Sequence, residues 1–171
     1  MTSKSLKAVG GVAIAAVLAL GTPALAQDSE AEEPVDPRAQ DMGWHSQQQL
    51  YLLTLAPADG WHFEQGGVRW RWLEYRASER KPTVADTVTV HYEGRLLDGS
   101  VFDSSYERGQ PATFPLGRLV PGWQIAIPKM GIGETIEIAI PSGLAYGAEG
   151  RGPIPPNATL IFKVELIGID G

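Results

Sequence analysis

The residues of this chain with chemical potential are three histidines, an Asp-Ser-Ser run, a set of carboxylates, and its tyrosines and tryptophans. His45, His62 and His91 are the only imidazoles, and there is no cysteine. Without cysteine, thiol nucleophiles, disulfide scaffolds, Fe–S clusters, Cys-based zinc sites and lipid attachment through cysteine are excluded. A Ser104–His91–Asp103 triad can be drawn, but no G-x-S-x-G elbow or other nucleophile context surrounds the serine. His91 reads as a structural histidine on a strand, pointing away from its neighbour Tyr92. No H-E-x-x-H, EF-hand, His cluster or Walker loop occurs, so no metal or nucleotide is expected. The carboxylate pair Glu32-Glu33 lies in a charged stretch where solvation is the ordinary role. What remains is aromatic and apolar, with few polar groups. Such a set suits a site that needs no nucleophile, metal or cofactor.

The elements that must position this set sit in a chain of 171 residues with net charge −6 and pI about 5.0. Hydrophobic residues make up 43% and charged residues 20%, a globular balance. One domain with an extension fits that length. An acidic chain without a basic tract is a poor partner for nucleic acid.

The first residues read as an address and not as fold. Lys4 and Lys7 precede the apolar run Ala8 to Leu20, and Ala24-Leu25-Ala26 forms an A-x-A end. These are the three parts of a secretory signal, with cleavage expected near Ala26. The apolar run is shorter than the roughly 20 residues of a spanning helix, so no stable membrane span is expected. The mature protein is then exported, to a periplasm or the medium, and is more acidic for losing both lysines.

Residues 27–66 read as an acidic linker and a short helical extension. Asp28, Glu30, Glu32, Glu33, Asp36 and Asp41 alternate with Pro34 and Pro37 and leave little to bury. Ser46 and Gln49 match a capping box, and Pro57 stops the apolar run Leu50–Ala56, so a helix is predicted over about 47–56.

From Gly67 the period changes to two. Val68, Trp70 and Trp72 alternate with arginines, and Leu73 and Tyr75 change phase, which predicts a bulge near Trp72. Val88, Val90 and Tyr92 form one strand face. So do Ile136, Ile138 and Ile140, and Leu160, Phe162, Val164 and Leu166. Asp98-Gly99 marks a hairpin. One-sided strands need a cover on the apolar face. Trp123 to Met130, opened by Pro121-Gly122 and shortened by Pro128, supplies a short helix for it. One short helix over a twisted antiparallel sheet gives a predicted α+β class. Pro141 to Asn157, dense in Gly and Pro, is expected to form a long ordered flap.

Five blocks carry a resemblance. They are Thr87–Gly94 (TVTVHYEG), Asp98–Ser105 (DGSVFDSS), Pro121-Gly122-Trp123, Ala145-Tyr146-Gly147 and Ile154–Leu160 (IPPNATL). In order and spacing, 67–171 resembles the FKBP-type peptidyl-prolyl isomerases. The resemblance implies that 67–171 is the isomerase domain, an α+β fold in which a strongly bent antiparallel sheet wraps on one short helix. It further implies a pocket floored by Trp123 and walled by Tyr92, Phe102, Leu119, Ile154 and Phe162. The Val120 N–H and the Tyr146 hydroxyl would hold substrate carbonyls. Asp103 would orient Tyr92 or Arg108, or bias the field at the reacting amide. Asp103, Trp123 and Tyr146 are the most informative positions. The implied partners are proline-containing unfolded or partly folded polypeptides, with macrolide inhibitors as pocket ligands. The protein is expected to be a monomer or weak dimer.

Two departures bear on substrate preference. Ala112 stands where an aromatic residue is common, with Phe114 two positions on, and Arg151 replaces a histidine of some relatives. A non-catalytic binding module or holdase on the same scaffold is the rival reading. Its support is the leucine-rich stretch around Leu50, Leu52, Leu53 and Leu55. A small-ligand barrel lacks the closed run of strands it would need.

Overall fold

The computed structural model describes residues 36–170, so the signal reading for 1–26 and the acidic residues up to position 35 lie outside the described residues. Helix α1 spans Met42–Thr54, and a short α2 spans Pro121–Ala126. The strands are β1 (His62–Phe63), β2 (Arg69–Glu74), β3 (Thr87–Arg95), β4 (Val101–Ser104), β5 (Ala112–Pro115), β6 (Thr135–Ile140) and β7 (Leu160–Asp170).

These strands form one antiparallel sheet in the order β1-β2-β6-β7-β3-β4, with β5 also on β3. Strand β3 is the hinge of this arrangement. One edge pairs along its length with β7, while the other is shared by β5 at Thr87–Val90 and β4 at Glu93–Arg95. The register shifts at Trp72/Glu74, as the phase change at Leu73 predicts, and again at Thr89/Val90 and Gly94/Arg95. Each bulge adds local twist, and together they bend the sheet around α2.

The concave face buries Val88, Val90 and Tyr92 of β3, Ile136, Ile138 and Ile140 of β6, and Leu160, Phe162, Val164 and Leu166 of β7. Trp123, Ala126, Ile127 and Met130 fill it from α2 and the 3-10 turn that follows. This is the cover that the Trp123–Met130 segment predicts. The helix can approach so closely because residue 122 is glycine: a Cβ there would stand 2.4 Å from Ile140 Cγ2. The flap over 141–157 is a loop with one 3-10 turn at Ser142–Leu144 and a bridge between Arg151 and Ile154.

Two expectations need correction. Helix α1 starts at Met42, five residues before the predicted 47, and the Ser46/Gln49 box does not cap it. Asp41 does, accepting the N–H groups of Gly43 and Trp44 at 2.8 and 3.1 Å. An aspartate immediately after the 3-10 turn at Pro37–Gln40 offers its carboxylate to the free donors of the first turn, so Ser46 falls inside the helix. Second, β6 is not one-sided, for all six of its residues are buried. Its other face is covered by the extension: Leu52, Leu55 and Trp61 pack on Ala139 and Ile161. Glu137 on that face accepts from Arg71 at 2.8 Å and from Arg95 at 2.6 Å, so its charge is matched where it is buried. The extension therefore reaches the domain through α1, Trp61 and the β1–β2 pairing.

Candidate active site

A cavity opens at the concave face between α2, the β3–β4 end of the sheet and the flap, enclosing about 360 Å³ including its mouth. Trp123, on the first turn of α2, is buried at its base. Its ring stands edge-to-face with two neighbours, Tyr92 at 5.4 Å and Phe162 at 5.3 Å between centroids. Tyr92 comes from β3 and Phe162 from β7, on the inward phase of their strands. Phe102 of β4 meets Phe162 edge-on at 5.5 Å. That contact passes over Gly94, where a Cβ would lie 2.5 Å from Phe102 and 2.7 Å from Phe162. The glycine of the HYEG block is thus a packing requirement of the two phenylalanines. Edge-to-face pairs place the positive rim of one ring on the negative face of the next and hold the walls in one arrangement.

Leu119 and Val120 close the side next to α2. Val120 is the N-cap of α2. Its carbonyl accepts from Trp123 and Gln124, and its N–H has no backbone partner among the described residues. Tyr146 reaches the lining from the flap.

Asp103 is the charged member of the lining. The Tyr92 hydroxyl donates to its Oδ2 at 2.5 Å, and the Arg108 guanidinium donates to its Oδ1. Arg108 also donates to the Tyr92 hydroxyl at 2.9 Å, which closes a three-membered ring of hydrogen bonds. Burial, reinforced by the bond to Asp103, raises the Tyr92 phenol well above its ordinary range. Burial raises the Tyr146 phenol as well. Both hydroxyls are therefore neutral donors at physiological pH.

Of the residues proposed from sequence, Asp103, Trp123, Tyr146, Tyr92, Phe102, Leu119, Val120 and Phe162 meet at this cavity. Two stand elsewhere. Arg108 lies behind Asp103 and Tyr92 and acts on the cavity through them. Ile154, itself in the flap, is buried in the core cluster and is not among the residues that line the cavity. Phe114 of β5 also lines the cavity, 6.1 Å from Tyr92; the sequence reading notes it as a neighbour of the space left by Ala112 without counting it among the site residues. Its signal was the alternation of Ala112 and Phe114 opposite Val90 and Val88. The Ser104–His91–Asp103 triad does not assemble. His91 Nδ1 is 2.9 Å from the Ser105 hydroxyl and its ring stacks on Tyr106, while Asp103 is held by Tyr92 and Arg108. Among the described residues no group of three metal-ligating side chains occurs.

A bent sheet on one short helix carries an aromatic cavity at the helix N-terminus, and comparison with known proteins identifies the family. The profile of FKBP-type peptidyl-prolyl cis-trans isomerases matches residues 78–167. The chain belongs to that family. It is 43% identical over 120 residues to the FKBP-type peptidyl-prolyl cis-trans isomerase FkpA of Aeromonas hydrophila, covering 70% of this chain and 44% of that protein. It is 57% identical over 102 residues to the peptidyl-prolyl cis-trans isomerase Mip of Coxiella burnetii, covering 57% of this chain and 44% of that protein. The crystal structure of FkpA from Escherichia coli superimposes with a TM-score of 0.70 at 37% identity, over 73% of this chain and 58% of the other. The chain thus spans about half the length of the curated relatives it matches.

Proposed function

We propose that this chain is an exported peptidyl-prolyl cis-trans isomerase that speeds rotation about X–Pro bonds in folding polypeptides. The observation that carries the reading is the Trp123 floor walled by Tyr92, Phe102 and Phe162, with a single carboxylate that is already paired. Such a cavity offers shape and dryness and no nucleophile.

The chemistry matches those means. The barrier to rotation is about 18–20 kcal/mol, because the twisted amide loses its resonance. Uncatalysed, the step takes tens to hundreds of seconds. The twisted amide has less charge separation than the planar one, so a dry apolar wall disfavours the planar form more. The proline ring rests on Trp123. The Val120 N–H and the Tyr146 hydroxyl hold the flanking carbonyls, which keeps the chain in a half-rotated turn. Contacts realised only in that geometry lower the barrier, while contacts common to both forms do not. Asp103, fixed by Tyr92 and Arg108, sets the field along the reacting amide. No bond is made or broken and no cofactor takes part.

Proline-containing unfolded or partly folded chains are the substrates. Macrolides are the expected inhibitors: a relative from Yarrowia lipolytica, 55% identical over 94 residues, carries the name FK506-binding protein 2. Export follows from the signal-like residues 1–26, and a relative from Legionella longbeachae is named outer membrane protein MIP. The division into 1–26, an extension over 27–66 and a catalytic domain over 67–171 belongs to the same proposal. A protease-coupled proline-peptide assay on residues 27–171 tests the reading. Turnover that FK506 suppresses is expected. Client protection from aggregation without turnover would favour the holdase instead.

A further inference from the structure

Gln48 of α1 is buried and accepts the Thr159 N–H at its Oε1 over 2.8 Å. The Thr159 hydroxyl donates back to the Gln48 carbonyl at 3.1 Å. One turn earlier, Trp44 Nε1–H donates to the Pro156 carbonyl at 2.8 Å, and His45 Nε2 lies 2.7 Å from Asn157 Nδ2. Positions 44, 45 and 48 share one helix face. α1 is therefore fastened at successive residues to the return leg of the flap.

That leg is coupled to the cavity. The Asn157 N–H donates to the Gly147 carbonyl at 2.8 Å, next to Tyr146. Asn157 has φ +57°, a left-handed conformation that asparagine adopts more readily than other side-chain-bearing residues. The outgoing leg is rich in glycines with positive φ, namely Gly147, Gly150 and Gly152. Such residues lose much chain entropy on ordering, so the flap's own bonds at Tyr146, from the Gly150 N–H to its carbonyl at 3.2 Å and from the Gly147 N–H to the Ser142 carbonyl at 2.8 Å, work against that cost, and an anchor from outside the loop adds to them.

We propose that α1 is a strap that positions Tyr146. Trp44 and Gln48 act as positioning residues: they hold Pro156 and Thr159 on either side of Asn157, and Asn157 holds the Gly147 end of the tyrosine turn. The catalytic part of this proposal rests on the isomerase reading of the cavity.

The test uses Gln48→Met, which keeps the volume and removes the acceptor, in the full mature chain. Trp44→Phe, which removes only the N–H donor, takes its place if the first variant does not fold. Amide exchange at Asn157 should speed up about tenfold relative to Val164 in β7, the size of effect a lost buried hydrogen bond has on local opening. kcat/KM for a proline peptide should fall about fivefold, and the same substitution in a Tyr146→Phe background should cost nothing further. Unchanged exchange at Asn157, or an equal loss in both backgrounds, would overturn the strap. An inactive wild type would remove the isomerase reading, while the exchange result would still decide whether α1 holds the flap.

Discussion

The Tyr92 hydroxyl and Asp103 Oδ2 are 2.5 Å apart, and Arg108 bonds to both residues. The carboxylate at the cavity wall is thereby fixed in direction and matched in charge, and Tyr92 is fixed as a wall. Asp103→Ala leaves a phenol and a guanidinium short of their acceptor. The expected cost is about 1.5–3 kcal/mol of stability, the range for a hydrogen bond to a charged group. kcat/KM should fall about tenfold, equivalent to about 1.4 kcal/mol of barrier. Asp103→Asn keeps an acceptor for Tyr92, so it should retain most of the stability and lose activity. Denaturant melts beside turnover measurements separate the two effects.

The raised phenols lead to a pH prediction. Tyr92 and Tyr146 both sit above the ordinary tyrosine value, chiefly through burial. Neither should lose its proton up to about pH 9, since ordinary tyrosines titrate near 10. The rate profile should be flat from about pH 6 to that limit. For Tyr92 the folded state favours the protonated form. Its stabilising contribution is complete below about pH 10 and is lost as pH rises through the elevated folded value. Tyrosinate absorbance compared with Tyr92→Phe checks the sign: the phenol lost in the variant should be one that ionises above the ordinary tyrosine range.

Glu134 predicts the opposite limb. Its side chain is buried, which alone would raise its pKa, but the backbone N–H groups of Gly131, Arg76 and Ser78 point at it and bring it below the ordinary range. A carboxylate with a depressed folded pKa stabilises above its unfolded value and loses that contribution as pH falls through the folded one. Stability should therefore decline below about pH 4, and Glu134→Gln should flatten that decline while lowering stability at neutral pH by about 1–2 kcal/mol. Thermal melts across the acid range measure both.

Phe114 offers a test of the cavity wall. Phe114→Ala opens the side facing Tyr92 without touching Asp103. It should raise KM for proline peptides about threefold to tenfold, matching the lost apolar contact, with a smaller change in kcat. Steady-state kinetics at several substrate concentrations resolve the two parameters.

Strand periodicity made most of the domain legible. The alternation Val88-Val90-Tyr92 put one cavity wall on the core face, and the phase change at Leu73 placed the bulge. The parts that were missed depend on contacts distant in sequence. Gln48 and Thr159 are 111 residues apart, and no local pattern signals that they meet. The same holds for the extension that buries the outer face of β6, which alternation alone assigned to solvent. Ser46/Gln49 misplaced the start of α1 because Asp41, read from sequence only as part of the acidic linker, reached the free N–H groups of the first turn. Ile154 and Arg108 carry family positions but are not among the residues that line the cavity here, a placement that sequence order does not encode.

The central claim is that the aromatic cavity lowers the barrier to X–Pro rotation. NMR exchange spectroscopy on a short proline peptide measures the cis/trans rate constant directly, with wild-type chain and with Trp123→Ala at the same concentration. Uncatalysed exchange takes tens to hundreds of seconds. The account predicts exchange well within a second with wild type, and a rate at least about tenfold slower with Trp123→Ala, the loss expected for a missing 1.4 kcal/mol. Spontaneous-rate exchange with folded wild-type protein, or undiminished exchange with folded Trp123→Ala, would contradict it.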